Sequence, residues 1–231
     1  MKFKMPRPVI TPEINLIARR AIRVQKIYVP AATRKNLKEI AQISGEIKKK
    51  GLPSYLIVRK LKGKLGHGVF LHPEAKPIER GQVIASYAGE MQLFPQNQSD
   101  DSDYAFAPIV DIRLTKEEQL RFDPKRKYHP RRLYALDLDA VRKGNFTRFI
   151  NHSEKPNIEA CLLRIPPNSH GLKPASAEIV YIAKKRIHPG EQLLVCYEGE
   201  DKSYWGVMGI KPFPITPKTF QLSSSLKVQG A

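Results

Sequence analysis

Apolar residues fall at helical spacing in two runs near the start of the chain. Ile14, Ile17, Ala18, Ala21 and Ile22 form the first, behind Thr11-Pro12-Glu13. That start supplies a capping hydroxyl, proline at the first helical position and an acid in the first turn. Pro30 is the expected end of this helix. Leu37, Ile40, Ala41, Ile43 and Ile47 form the second run, capped by Thr33 and stopped by Lys48-Lys49-Lys50-Gly51, cations beside the last carbonyls followed by glycine. The pattern predicts a helical hairpin with one apolar face. From Tyr55 the texture shortens. Tyr55–Val58, Val69–Leu71, Val83–Ala88, Tyr104–Ile112, Tyr134–Leu138, Glu178–Ile187 and Glu191–Tyr197 read as short strands. Glycine and proline turns divide them, which predicts a mainly β domain. Residues 92–133 read as an insertion: an acidic loop at 96–103, a strand, a short helix over Thr115–Phe122 and a basic loop over Lys125–Arg132. One stretch, Gly144 to Asn157, follows neither period. It sets Asn145, Arg148, Asn151, His152 and Asn157 against the apolar pair Phe149 and Ile150. Polar side chains around a fixed apolar anchor suit either a cleft-lining segment or a plain surface loop.

Composition narrows the class. The 231 residues are 41% hydrophobic, which fits one globular core with a small accessory element. The divisions expected are a basic helical extension over 1–55, the β domain over 56–210 with its insertion at 92–133, and a Pro-, Ser- and Thr-rich tail over 211–231. Residues 1 to about 10 are expected to be mobile. The formal net charge is +18, and that implies attraction to polyanions. Residues 1–64 hold 17 Lys or Arg against three acids, so +14 of that charge sits in the first quarter. This face is either a solvated surface or a contact for DNA, and no aromatics interleave its cations to form a stacking platform. Its apolar stripe is expected to pack on the rest of the chain or on a second copy, as a homodimer. The chain start lacks a secretory apolar region and no run reaches the roughly 18 apolar residues of a membrane span.

Chemistry is sparse in any single motif. Cys161 and Cys196 cannot form a zinc site alone, and the six histidines are scattered, so no metal is expected. Both cysteines read as reduced thiols of a cytosolic protein. A nucleophile pair of Cys196 and His152 competes with the commoner reading of Cys196 as a buried, inert thiol in a strand. Gly63-x-x-Gly66-x-Gly68 is neither the dinucleotide fingerprint nor a phosphate P-loop; a tight hairpin turn explains it as well.

Four motifs become specific in combination: Gly66-His67-Gly68, Tyr87-Ala88-Gly89-Glu90, Gly144-Asn145 through Asn157, and Gly190-Glu191-Gln192-Leu193 through Tyr197. In this order they resemble the SET domain of protein lysine methyltransferases over residues 56–205, and most resemble the chlamydial SET proteins that act on histones or histone-like proteins. The resemblance implies small β-sheets around a C-terminal pseudoknot and S-adenosylmethionine as cofactor. It places Gly66, His67, Gly68, Arg148, Asn151, His152 and Tyr197 along that cofactor, with Trp205 over its adenine. Tyr197 becomes the catalytic tyrosine and Tyr87 the opposite wall of a lysine channel. The acceptor lysine, with an unperturbed pKa near 10.4, must reach the reaction neutral, and an apolar channel favours that form. The implied substrate is a basic lysine-containing protein, a histone or a histone-like DNA-binding protein. Ribosomal or other non-chromatin proteins are the alternative, as is a non-catalytic nucleic-acid-associated module. The implied location is the bacterial cytoplasm or, after secretion, a host cell and its nucleus.

The sequence departs from the pattern in three places. Glu154 stands where many members carry a zinc-cluster cysteine, and no cysteine follows Cys196, so a zinc-free channel is expected, closed by residues 202–213. Val195 stands where an aromatic often tunes methyl number. Cys196 replaces a common aspartate. A +18 enzyme should also repel a lysine-rich substrate. Either nucleic acid gripped by the basic arm presents that substrate, or an acidic patch drawn from Asp100, Asp101, Asp103 and Glu90 receives it.

Overall fold

The computed structural model describes residues 5–61, 66–96, 105–166 and 176–197. Helix α1 (Pro12–Val24) starts as its sequence dictates, with the Thr11 hydroxyl accepting from the Ile14 N–H. It ends at Val24, six residues before Pro30, because Lys26 turns the chain with φ 53°. Helix α2 (Arg34–Lys50) opens on a reciprocal capping box between Thr33 and Asn36 and closes on Gly51, whose φ of 83° carries its N–H to the Ile47 carbonyl. Such a left-handed cap favours glycine.

The apolar stripe packs on the chain's own core. Ile14, Ile17, Ile40, Ile43 and Ile47 join one buried cluster with Val83, Leu136, Tyr181 and Val195. Ile40 and Ile47 are fully buried, and burying each contributes about 1.5–3 kcal/mol. Polar contacts fix the helices at their rims. Both Arg20 terminal nitrogens reach the Glu118 carboxylate at 2.7 Å, Arg121 reaches Glu13 at 3.0 Å, and the Glu39 carboxylate accepts from the Val83 N–H at 3.1 Å.

Four small sheets carry the rest. Strands β1 (Leu56–Lys60) and β2 (His67–Leu71) form an antiparallel ribbon. In the second sheet β9 (Ser176–Ala183) lies between β3 (Val83–Ser86) and β8 (Ile158–Ile165). In the third β6 (Leu133–Asp139) lies between β4 (Glu90–Pro95) and β5 (Ala105–Arg113), with the short helix α3 (Lys116–Phe122) crossing from β5 to β6. The fourth is one parallel pair, β7 (Asn151–His152) with β10 (Leu194–Val195). Parallel neighbours need a long connection, and here that connection is β8 and β9. The expected strand over Glu191–Tyr197 shrinks to two residues because its backbone serves several neighbours. The Leu193 N–H goes to the Val69 carbonyl, while the Leu194 N–H goes to the Asn157 side chain.

Of the segment expected to be mobile, Arg7 and Val9 are held by the core, and residues 1–4 lie outside the described residues. The Val9 N–H donates to the Gly89 carbonyl at 2.8 Å, the Met91 N–H to the Val9 carbonyl at 2.9 Å, and Arg7 pairs with Glu178. A buried carboxylate and an open strand edge give this segment partners that its composition does not reveal. No helix among the described residues is long and apolar enough to cross a membrane.

Candidate active site

The segment with no regular period forms a 3-10 turn over Phe146–Phe149, followed directly by β7. Asn145 fixes both sides of that turn. Its Oδ1 accepts from the Thr147 N–H at 3.0 Å, and its Nδ2 donates to the Ser86 carbonyl at 3.0 Å. Asn145 is fully buried, so an apolar replacement would leave these groups unmet. Phe146, Phe149 and Ile150 are buried anchors beneath it. Arg148 turns outward: one guanidinium nitrogen donates to the carbonyls of Ala140 at 2.9 Å and Val141 at 3.0 Å. Its guanidinium lies 4.9 Å from the Phe149 ring centre. In this structure Arg148 braces the turn after β6.

Asn151 and His152 join three elements. The Asn151 amide donates to the His67 carbonyl at 2.8 Å, tying β7 to the glycine-flanked β2. The Nδ1 of His152 accepts from the Tyr197 N–H at 3.0 Å, which leaves the neutral ring's proton on Nε2. The Tyr197 hydroxyl folds back and donates to the Ile150 carbonyl at 2.6 Å. Tyr197, His152, Asn151 and His67 therefore meet at one place although they span 131 positions of sequence.

Tyr87 is buried at the end of β3, its N–H on the Ile179 carbonyl at 2.9 Å. Its ring meets Tyr181 edge-on at 5.9 Å and Phe106 at 6.2 Å. Tyr181 escapes the sequence reading, which places it with Ile179 and Ala183 on a plain core face. Burial, reinforced by the neighbouring phenols of Tyr87 and Tyr197, holds its hydroxyl well above the ordinary phenol range. Tyr87 from the end of β3 and Tyr197 from just past β10 thus converge on Tyr181 within β9, and Tyr181 stays protonated at neutral pH.

The two motif glycines differ in role. Gly66 is exposed at φ 64°, and a Cβ there would meet nothing within 4 Å. Gly68 is packed: a Cβ would lie 2.7 Å from Gln192 Nε2 and 3.1 Å from the Phe70 ring. Gly66 thus borders open space, and Gly68 exists for close packing. Cys196 lies just past β10 and is half-buried rather than mid-strand. Burial pushes the Cys161 thiol up to about 11. Glu90 is paired with Lys143, which removes it as a free acid for a cationic substrate. Asp100, Asp101, Asp103, Trp205 and residues 202–213 lie outside the described residues. Among the described residues, no group of three His, Cys, Asp or Glu side chains is placed to hold a metal ion.

Small sheets gathered round a parallel β7–β10 pair, with a tyrosine cluster above it and a glycine-bordered edge beside it, define a class. The SET-domain profile matches residues 66–198, and the chain belongs to the SET-domain family. It is 32% identical over 127 residues to the H3 lysine-9 specific histone-lysine N-methyltransferase SUVH1 of Nicotiana tabacum, covering 55% of this chain and 16% of that protein. It is 26% identical over 176 residues to SET domain-containing protein 4 of Saccharomyces cerevisiae, covering 74% and 28%. The chain therefore spans less than a third of the length of these relatives. The solved ATXR5 SET domain in complex with histone H3 di-methylated on R26 shares the fold at a TM-score of 0.55 and 20% identity, covering 80% of this chain and 78% of that one.

SET methyltransferases use S-adenosylmethionine, and the residues present fit it. The open side of Gly66 admits a ligand against the backbone. The half-exposed Asn151 keeps its Oδ1 acceptor without a hydrogen bond among the described residues, and the ammonium of an amino-acid moiety is a matching donor.

Proposed function

We propose that the chain is an S-adenosylmethionine-dependent protein-lysine N-methyltransferase acting on histones or histone-like basic DNA-binding proteins. The observation that carries the reading is the Tyr197 hydroxyl. Its proton is committed to the Ile150 carbonyl at 2.6 Å, which fixes the ring close enough to act electrostatically on Tyr181, the neighbour of Tyr87. A hydroxyl oxygen, a carbonyl oxygen and aromatic faces together suit a centre that carries partial positive charge. The bound cofactor supplies an electrophilic methyl group. Gly66, His67, Asn151 and His152 are the groups to hold it, with Gly68 packed behind them, Trp205 as a cover and Arg148 bracing the same segment.

The acceptor amine arrives by desolvation rather than by a strong base. A phenol pKa near 10 gives no base at neutral pH, and burial raises that of Tyr181 further. The apolar walls favour the neutral amine, and alignment supplies the remaining acceleration. The resemblance to chlamydial SET proteins supports a basic, DNA-compacting substrate. It supports a bacterial cytoplasmic or host-nuclear location as well, and a channel closed without zinc. The N-terminal cations support a polyanion that brings enzyme and substrate together.

Incubation with labelled cofactor and a panel of histones, DNA-compacting basic proteins and ribosomal proteins tests the reading. Transfer to histones or DNA-compacting proteins is expected. Labelling confined to ribosomal proteins would replace the substrate class, and no transfer to any acceptor would favour a binding module.

A further inference from the structure

We propose that Arg7 and Val9 form a clasp that positions Tyr87, making Arg7 a positioning residue for the acceptor channel. The inference rests on the reading of Tyr87 as a wall of that channel.

The clasp begins at Glu178 on β9, which is 1% exposed. A carboxylate so deeply buried is costly unless it is paired and hydrogen-bonded. Its partners are the Arg7 guanidinium, with Nε at 3.2 Å, and the Ser86 hydroxyl at 3.2 Å. Ser86 directly precedes Tyr87. Two residues further on, the Val9 N–H holds the Gly89 carbonyl at 2.8 Å, and the Met91 N–H returns to the Val9 carbonyl at 2.9 Å.

The segment from Ser86 to Met91 is thus gripped on one side by residues nearly eighty positions earlier. On the other side it has no slack. A Cβ on Gly89 would stand 2.4 Å from the Asp139 carbonyl oxygen, so the backbones already touch. Asn145 holds the Ser86 carbonyl from a third direction. Tyr87 itself is tied by its N–H to the Ile179 carbonyl, the neighbour of Glu178. Arg7 therefore fixes both strands that present Tyr87.

The core does not depend on the Val9 half of this grip. Val83, Ile84, Ala85, Ile179 and Val180 are buried on their own account, whereas Val9 is 47% exposed. Removing Arg7 strands the buried Glu178 carboxylate and costs global stability as well, whereas releasing Val9 alone should loosen the Tyr87 turn while the fold persists. A displacement of about 1 Å in a positioning group can lower turnover about 100-fold.

The test uses the full chain with Arg7→Ala, Arg7→Lys and Val9→Pro. The proline variant removes the N–H donor to Gly89 without stranding a charge. Cofactor affinity by calorimetry, turnover on whichever acceptor the panel above identifies, and hydrogen exchange over residues 84–91 are the readouts. Expected are faster exchange confined to that segment, turnover lowered about 10- to 100-fold, cofactor affinity within about twofold of the parent, and partial recovery in Arg7→Lys. Unchanged exchange over 84–91 in Val9→Pro would overturn the clasp. So would loosened exchange with unchanged turnover, or, in Val9→Pro, losses of cofactor binding and global stability in step with turnover. If the parent chain methylates nothing, the proposed activity fails, and local exchange still decides whether the clasp exists.

Discussion

Tyr197 bears the sharpest residue-level claim. Its N–H fixes His152 and its hydroxyl fixes on Ile150, so phenylalanine keeps the first contact and loses the second. Tyr197→Phe is expected to lower labelled methyl transfer at least about 100-fold while leaving cofactor affinity by calorimetry nearly unchanged. Near-parental turnover would remove Tyr197 from the chemistry. Glycines make a second test, because two that look alike in sequence sit differently. Gly89→Ala pushes a Cβ to 2.4 Å from the Asp139 carbonyl oxygen. Backbone meeting backbone cannot yield cheaply, so urea unfolding should show a loss of about 2–3 kcal/mol or more. Gly66→Ala meets open space and carries only the left-handed penalty of about 1–2 kcal/mol. That difference was not legible in the motif, which marks the glycines without saying which one touches packed atoms. Tyr181 was hidden for the same reason. Alternation along β9 identifies an inward face, but only the fold sets that face against Tyr87.

At the level of elements, what was local in sequence was readable and what needed a distant partner was not. Thr11, Thr33 and Thr115 cap the helices that follow them, since a cap bonds within its own turn. Strands β4 and β8 went unrecognised because their partners are β6 and β9 and their own patterns do not alternate cleanly. The β7–β10 junction is the clearest case. Buried Asn157 donates to the Gln192 carbonyl and accepts from the Leu194 N–H, both at 2.8 Å. Asn157→Ala would strand both backbone groups, so a loss of about 2–4 kcal/mol is expected by urea unfolding. The α1–α3 clamp predicts a pH effect. Burial alone would raise the Glu118 pKa, but hydrogen bonds from Arg20 and the Thr115 N–H outweigh it and hold the carboxyl below its ordinary value. A depressed acid stabilises the fold above its unfolded pKa, near 4.3, and that contribution fades as pH falls through the folded value. Arg20→Ala should therefore lower the melting temperature at pH 7, with the gap to the parent closing at acid pH. The pair is partly exposed, which limits its share to about 1 kcal/mol.

For the whole molecule, net charge was legible from the start, but its availability was not. Of the N-terminal cations, Arg7 and Arg20 are spent on Glu178 and Glu118. Arg19, Arg23 and Lys48–Lys50 remain exposed. The last three crowd the end of α2, where they already favour the helix dipole. A polyanion laid against them would release counterions, and affinity would fall with salt in proportion to the phosphates neutralised. If the proposed lysine-rich acceptor is DNA-bound, such a contact would offset its repulsion from a +18 chain. Measuring duplex DNA binding by the chain across a salt series tests this contact. Replacing Lys48, Lys49 and Lys50 with glutamine should weaken binding at every sequence and reduce the log–log salt slope by up to about 2.7, at roughly 0.9 per phosphate lost. It should also abolish any stimulation of methyl transfer by DNA while leaving transfer to a short free peptide unchanged. An unaltered slope would return these lysines to the status of a solvated helix end, where their charges serve only the helix dipole.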